Sequence, residues 1–264
     1  IEPVWWQTLW FRILVFVIFM SLLFFIYRIR VYRIKMENVR LEQLIKQRTK
    51  ELEEEKNISE NLLLNILPES IAVRLKNGES NIADSFQEVS VLFADIVGFT
   101  KLSQSVTAWE LVIKLNDLFS RFDRISLSLG VEKIKTIGDC YMAVCGLPSI
   151  REDHAERIVE LAKQMLKEIS QFNQKYNMDL SVRIGINTGE VVAGVIGEHK
   201  FIYDLWGDTV NTASRMESNG IPGQIHVTET TMKKLKDKFS FDSRGEIEIK
   251  GKGIMKTYIL KIDS

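Results

Sequence analysis

Residues Ile13–Tyr27 form an apolar run in which Ser21 is the one clearly polar interruption. Counted from Leu9, a stretch that takes in Arg12, the run reaches the roughly twenty residues that a membrane-crossing helix needs. Trp5, Trp6 and Trp10 precede it and Tyr27 and Tyr32 follow it, as interfacial aromatic belts do. Arg28, Arg30, Arg33 and Lys35 all lie on its C-terminal side, which places that side in the cytoplasm. Arg12 reaches the opposite interface by snorkelling. A cleaved signal sequence fits poorly, because the cations follow the apolar run and no small-residue cleavage site is evident. Residues 1–30 are therefore expected to be one membrane span in the lipid bilayer. Since the first residue is Ile1, an upstream sensor region outside the cytoplasm is also expected.

Beyond the span, residues 31–60 are charged, lack Pro and Gly, and predict a continuous helix. Leu41, Leu44, Ile45, Leu52, Ile58, Leu62 and Ile66 recur near helical period, interrupted by Arg48 and Glu55, which suits a parallel two-stranded coiled coil. Pro68 breaks this helix. Residues 61–87 read as a linking element with a second short helix over Leu62–Leu75 and a turn-rich segment at Asn77–Asn81.

From residue 88 onward strands and helices alternate. Strands are predicted at Val89–Ala94, Val131–Ile137, Tyr141–Cys145, Ser181–Asn187, Val191–Ile196, Gln224–Val227, Phe239–Ile249 and Tyr258–Ile262. Helices are predicted at Trp109–Leu129, Asp153–Tyr176 and Thr209–Ser218. The two strands around Thr188-Gly189-Glu190 are expected to be joined by a turn there. The succession is that of a split βαβ, ferredoxin-like α+β fold, with helices on one sheet face.

Bulk charge narrows the function. Lys+Arg and Asp+Glu number 35 each, which gives no support for nucleic-acid binding. Cys140 and Cys145 fall on opposite faces of an extended strand and show no metal-ligand spacing, so both are expected to be reduced thiols. The chemistry concentrates elsewhere. Asp95 and Asp139 each follow an apolar strand-like run, and paired carboxylates with glycine close by suit hard divalent cations. Two such residues on neighbouring strands are able to hold Mg²⁺ or Mn²⁺ ions for displacement at phosphorus, with the Ile96 carbonyl as a further oxygen ligand. Phe99 and Thr100, after Gly98, offer backbone amides to a triphosphate. Asn211 and Arg215 lie four apart on a predicted helix and share a face.

Three ordered segments carry a family resemblance: Phe93-Ala94-Asp95-Ile96-Val97-Gly98-Phe99-Thr100, Lys135-Thr136-Ile137-Gly138-Asp139, and Tyr203–Met216, which contains Asp204, Asn211 and Arg215. Together they resemble the signature segments of class III nucleotidyl cyclases over roughly residues 88–262. The resemblance implies that Asp95 and Asp139 bind two metal ions. It implies that Lys135 and Asp204 select the purine, and their polarity suits adenine: lysine donates to N1 and aspartate accepts from the exocyclic amine. Guanine would meet both with the wrong polarity. Asn211 and Arg215 would orient the ribose and stabilise charge at the α-phosphate, and Lys250 would grip the terminal phosphates, with Lys252 its competitor. His199 and Lys200 match a weaker pyrophosphate contact, whereas His154 and His226 have no supporting constellation. In the family the metal aspartates of one domain face the purine pair of its partner, so a homodimer would build two composite sites. The expectation is a membrane-anchored adenylate cyclase that takes ATP, with a cytoplasmic catalytic domain at a bacterial inner membrane. A guanylate cyclase is the nearest alternative, and a silent dimeric signalling module the alternative from another class. The Gly-Gly-acidic-Glu-Phe turn of diguanylate cyclases is missing.

Overall fold

A computed structural model describes residues 6, 9–99, 103, 106–197 and 200–262. The chain divides into two compact units, Ile1–Asn65 and Ile66–Ser264. The first unit consists of one helix, α1 (Leu9–Leu64), of 56 residues with no buried side chain. At 1.5 Å per residue it is roughly 84 Å long, far more than a bilayer core requires. Its best 18-residue window has a mean hydropathy of 2.6, and it is the one helix among the described residues long and apolar enough to cross a membrane. The apolar and the charged parts of α1 are thus continuous, without a break near residue 30.

The second unit starts with α2 (Glu69–Lys76), which opens directly after Pro68. Leu67, Ile71, Ala72 and Ile82 are buried, and Arg74 pairs with both Glu79 and Asp84, fastening α2 to the first strand. There follow β1 (Ala83–Val97), α3 (Ala108–Leu129), β2 (Glu132–Ile137), β3 (Cys140–Cys145), α4 (His154–Tyr176), β4 (Ser181–Ile196), β5 (Ile202–Trp206), α5 (Asp208–Ser218), β6 (Ile225–Thr228), α6 (Glu229–Leu235), β7 (Phe241–Ile249) and β8 (Gly253–Leu260). Local sequence explains several boundaries. Thr107 and Glu110 form a reciprocal capping box at the start of α3, and Gly130 ends that helix in the left-handed conformation.

The sheet runs β2-β3-β1-β4-β6-β8-β7, with β5 added to β4. Its β2-β3-β1-β4 portion, with α3 and α4 as connections, is the expected ferredoxin-like arrangement. Three details differ from the sequence expectation. β1 begins at Ala83 rather than near residue 88 and runs past Asp95 to Val97. Residues 181–196 form one strand: Gly189 serves close packing rather than a turn, since a Cβ there would lie 2.6 Å from Thr209 Oγ1. β8 begins at Gly253, five residues before the predicted start.

The helices also occupy both sheet faces rather than one. Val182, Ile184 and Ile186 of β4 pack with Leu92, Ala94 and Ile96 of β1 and with Ile158, Leu161 and Met165 of α4 in a single buried cluster. Side chains alternate along a strand, so Arg183, Gly185 and Asn187 belong to the opposite face. α5 lies there, pressed so closely on β4 that a Cβ on Gly185 would sit 2.0 Å from the Glu217 nitrogen.

Candidate active site

The face covered by α5 collects the chemistry. Cross-strand register places Asp95 opposite both Cys140 on β3 and Arg183 on β4. Asp139 immediately precedes Cys140, in the turn where Gly138 adopts φ 64°. The two predicted metal-binding aspartates therefore stand at one end of the β1–β3 pair. Pairing of β1 with β3 ends at Asp95, whereas pairing with β4 continues to Val97, so the backbone at Ile96 has no β3 partner.

Arg183 lies between the carboxylates. Its Nη2 donates to Asp95 Oδ2 at 2.7 Å and its Nε donates to Glu217 Oε1 at 3.1 Å. Burial holds the Asp139 carboxyl above the usual range, and the Asp95 charge adds to that effect. Glu217 is pushed up to about 7, first by burial and then by Asp95. The Cys140 thiol is pushed up to about 12 by burial, followed by the charges of Glu217, Asp95 and Asp139. Burial is the first cause of all three shifts, and neighbouring carboxylates add to each. Among the described residues no group of three or more His, Cys, Asp or Glu forms a metal-binding cluster. The donor set is instead two repelling carboxylates beside an open backbone edge. These hard oxygen donors fit a divalent cation that takes its remaining ligands from a phosphate or water.

Lys135 on β2 forms an ion pair with Asp204 on β5. The Asp204 side chain is held by the Leu205 backbone N–H, which donates to Oδ1 at 2.9 Å. Lys135 is opposite Met142 of β3, and Asp204 is opposite Gly194 of β4, so the ion pair joins the edge strand β2 to β5.

The third group surrounds α5. Asn211, Arg215, Lys250 and Lys252 line a cavity of about 410 Å³ together with Asp208 and Ser214. Lys252 is engaged by Asp208, which leaves Lys250 exposed at the tip of the β7–β8 hairpin. Phe99 packs against the core cluster, whereas Thr100 and His199 fall outside the described residues. Lys200 is exposed. His154 and His226 are buried: His154 Nδ1 meets Ser90 Oγ at 2.9 Å, and His226 Nδ1 donates to the Met216 carbonyl at 2.7 Å. Cys140 and Cys145 are free thiols.

Sequence reasoning missed Arg183 and Glu217. They lie 34 residues apart on a strand and a helix, and no local periodicity connects them. The one available signal was a charged residue within an otherwise apolar strand.

Known proteins share both sequence and fold with this chain. Residues 82–262 match the family described as the adenylate and guanylate cyclase catalytic domain. An adenylate cyclase of Mycobacterium tuberculosis is 48% identical over 210 residues, covering 79% of this chain and 47% of the relative. Human atrial natriuretic peptide receptor 2 is 47% identical over 223 residues, covering 83% of this chain and 21% of the receptor. The chain thus spans less than half the length of these relatives. Among solved structures, the catalytic core of a rhodopsin-guanylyl cyclase with converted specificity, in complex with ATPαS, superposes with a TM-score of 0.66. It is 40% identical and covers 69% of this chain and 98% of its own. The adenylyl cyclase CyaB from P. aeruginosa also gives 0.66, at 31% identity, covering 69% of this chain and 96% of its own. The chain belongs to the class III adenylate and guanylate cyclase family, and residues 82–262 are its catalytic domain.

Proposed function

We propose that this cyclase converts ATP to 3′,5′-cyclic AMP and pyrophosphate, as a homodimer anchored by α1 in a membrane with its catalytic domain in the cytoplasm. A receptor-type guanylate cyclase of Caenorhabditis elegans is 44% identical and the mycobacterial adenylate cyclase 48%, so the substrate assignment rests on one observation, the Lys135–Asp204 pair. An ammonium beside a carboxylate offers one donor and one acceptor, the complement of the adenine N1 and amino edge. Glutamate or another acceptor at residue 135 would be needed to receive the guanine N1 proton. Leaving a buried polar group unpaired is what makes such a site selective.

Asp95, Asp139 and the Ile96 carbonyl would hold Mg²⁺ or Mn²⁺, two ions per site. When bound, the ions supply charge neutralisation at the triphosphate and a lowered pKa for the ribose 3′-hydroxyl. The chain's own residues position the substrate. Phe99 and Thr100 present backbone amides to the phosphates, and Lys250 binds the terminal ones. Asn211 orients the ribose, and Arg215 offers its fixed fork of donors to the charge that grows on the α-phosphate. The 3′-oxygen forms a bond to the α-phosphorus while the bond to the bridging oxygen breaks. Pyrophosphate leaves with that electron pair, and the hydroxyl proton passes to Asp95 or to water.

Lys135 and Asp139 share one hairpin yet would serve different nucleotides across a twofold axis, each protomer lending its metal end to the partner's purine end. A parallel pairing of α1 would then align the catalytic domains, and repacking of that pair would carry a signal from an upstream sensor. Incubation of the detergent-solubilised protein with ATP or GTP and Mn²⁺, with products identified by mass spectrometry, tests the assignment. Cyclic AMP from ATP, abolished by Asp95→Ala, supports it; cyclic GMP as the main product overturns it.

A further inference from the structure

We propose that Glu217 is a positioning residue that controls metal entry by holding Arg183 when the guanidinium leaves Asp95. The proposal rests on the cyclase reading above. Asp95 and Glu217 grip one guanidinium through different nitrogens, Nη2 at 2.7 Å and Nε at 3.1 Å. The Asp95 oxygen that accepts from Arg183 has a lone pair and much of its negative charge committed to the guanidinium, so metal and guanidinium compete for this carboxylate. Arg183 remains charged throughout, since a guanidinium does not deprotonate in this setting. If Asp95 were its only partner, metal entry would strand a half-buried cation. Glu217 removes that cost: its bond to Nε survives when the bond to Nη2 is broken.

The position of Glu217 suits the task. Its side chain is 10% exposed against 31% for Arg183 and 20% for Asp95, so it is the deepest of the three. Its backbone is fixed against β4, because Gly185 permits an approach that any Cβ would block at 2.0 Å. The contact point lies two residues along the strand from Arg183, on the same sheet face. Glu217 is thus a rigid anchor and Asp95 the exchangeable partner.

The test titrates Mn²⁺ alone into the full chain in detergent, with free Mn²⁺ followed by electron paramagnetic resonance. Wild type, Glu217→Gln, Glu217→Asp, Arg183→Met and the double variant Glu217→Gln/Arg183→Met are compared, each checked for an unchanged unfolding transition. Glu217→Gln keeps an acceptor oxygen but removes the charge, which leaves Asp95 as the one anionic partner of Arg183, and is expected to weaken Mn²⁺ binding about tenfold, with Glu217→Asp recovering most of the loss. In the Arg183→Met background the same change is expected to alter binding by less than about twofold, because the competitor is gone. An equal effect of Glu217→Gln in both backgrounds would show that Glu217 acts by its own charge, and would overturn the proposal. So would wild-type affinity in Glu217→Gln. Should Glu217→Gln unfold, Glu217→Met, which keeps the side-chain length and removes the charge, is compared in the wild-type and Arg183→Met backgrounds in the same way. Absence of Mn²⁺ binding by wild type, with or without ATP, would instead strike the metal assignment itself.

Discussion

Gly185→Ala should damage both stability and catalysis, through one displacement. A Cβ at residue 185 would lie 2.0 Å from the Glu217 nitrogen, 2.5 Å from the Met216 carbonyl carbon and 2.6 Å from the Glu217 Cα. All three are backbone atoms, so no side chain is able to swing aside. Ordinary contact begins at 3.4 Å, and 3.4 − 2.0 = 1.4 Å is the retreat demanded of α5 or β4. Overpacking of this kind costs about 3 kcal/mol, the upper end of the usual range, because the fully buried Ala213 and Met216 lose contacts as α5 lifts. For a unit of this size such a loss lowers the unfolding temperature by roughly 6–12 °C. Under the proposed mechanism the same shift would carry Asn211 and Arg215 away from the reacting atoms, and a 1 Å misplacement costs about 100-fold in rate. Thermal unfolding followed by circular dichroism, with cyclase assays at a temperature where the variant stays folded, reads both effects. Gly78→Ala is the control, since Gly78 has φ 83° but nothing within 4 Å of its would-be Cβ. It should cost about 1–2 kcal/mol and leave activity intact. An unfolding temperature for Gly185→Ala within about 2 °C of wild type, together with full activity, would refute the packing argument.

Asp95→Ala and Arg215→Ala variants, each nearly inactive alone, should regain partial activity when mixed as heterodimers, because one of the two composite sites then keeps both groups; no recovery in a mixed-dimer assay contradicts the composite site. Lys250→Ala should raise the KM for ATP by about tenfold or more with a smaller change in kcat, whereas Lys252→Ala, which removes the partner of Asp208, should chiefly perturb stability. Steady-state kinetics distinguish the two lysines, and equal KM effects would contradict this division of roles. His226 is lowered to about 4, mainly by burial, with Arg244 adding to the effect. A histidine depressed below its unfolded value near 6.5 leaves the unfolded chain binding the extra proton, so stability is complete above that pH and falls as pH drops toward 4. The loss is on the order of 3 kcal/mol, and denaturant titrations of wild type and His226→Asn should converge across that window. Parallel curves would show that His226 does not drive the change.

The parts legible from sequence were those set by local pattern. The split βαβ order followed from alternating strand and helix signals, and the capping box at Thr107 and Glu110 lies next to the predicted helix start. Gly189 misled because glycine signals either a turn or a close approach, and only the position of Thr209 decides between them. The strand Ile202–Trp206 escaped notice because its five residues overlap the segment read for chemistry. Placement of α5 on the second sheet face depends on Gly185 meeting Glu217, a contact no helical or strand period encodes. The same non-locality hid Arg183 between Asp95 and Glu217, although Asp95 itself was evident. Lys135 and Asp204 are 69 residues apart, and their juxtaposition came from resemblance rather than from spacing.

The most direct test of the account is the ratio of kcat/KM for ATP to that for GTP, measured with Mn²⁺ on wild type and on the Lys135→Ala/Asp204→Ala double variant. If the pair reads the adenine edge, wild type should favour ATP by at least about 100-fold, and the double variant should fall toward parity as both selective hydrogen bonds are lost. Equal use of GTP by wild type, or an ATP preference that survives removal of both side chains, would contradict the central claim.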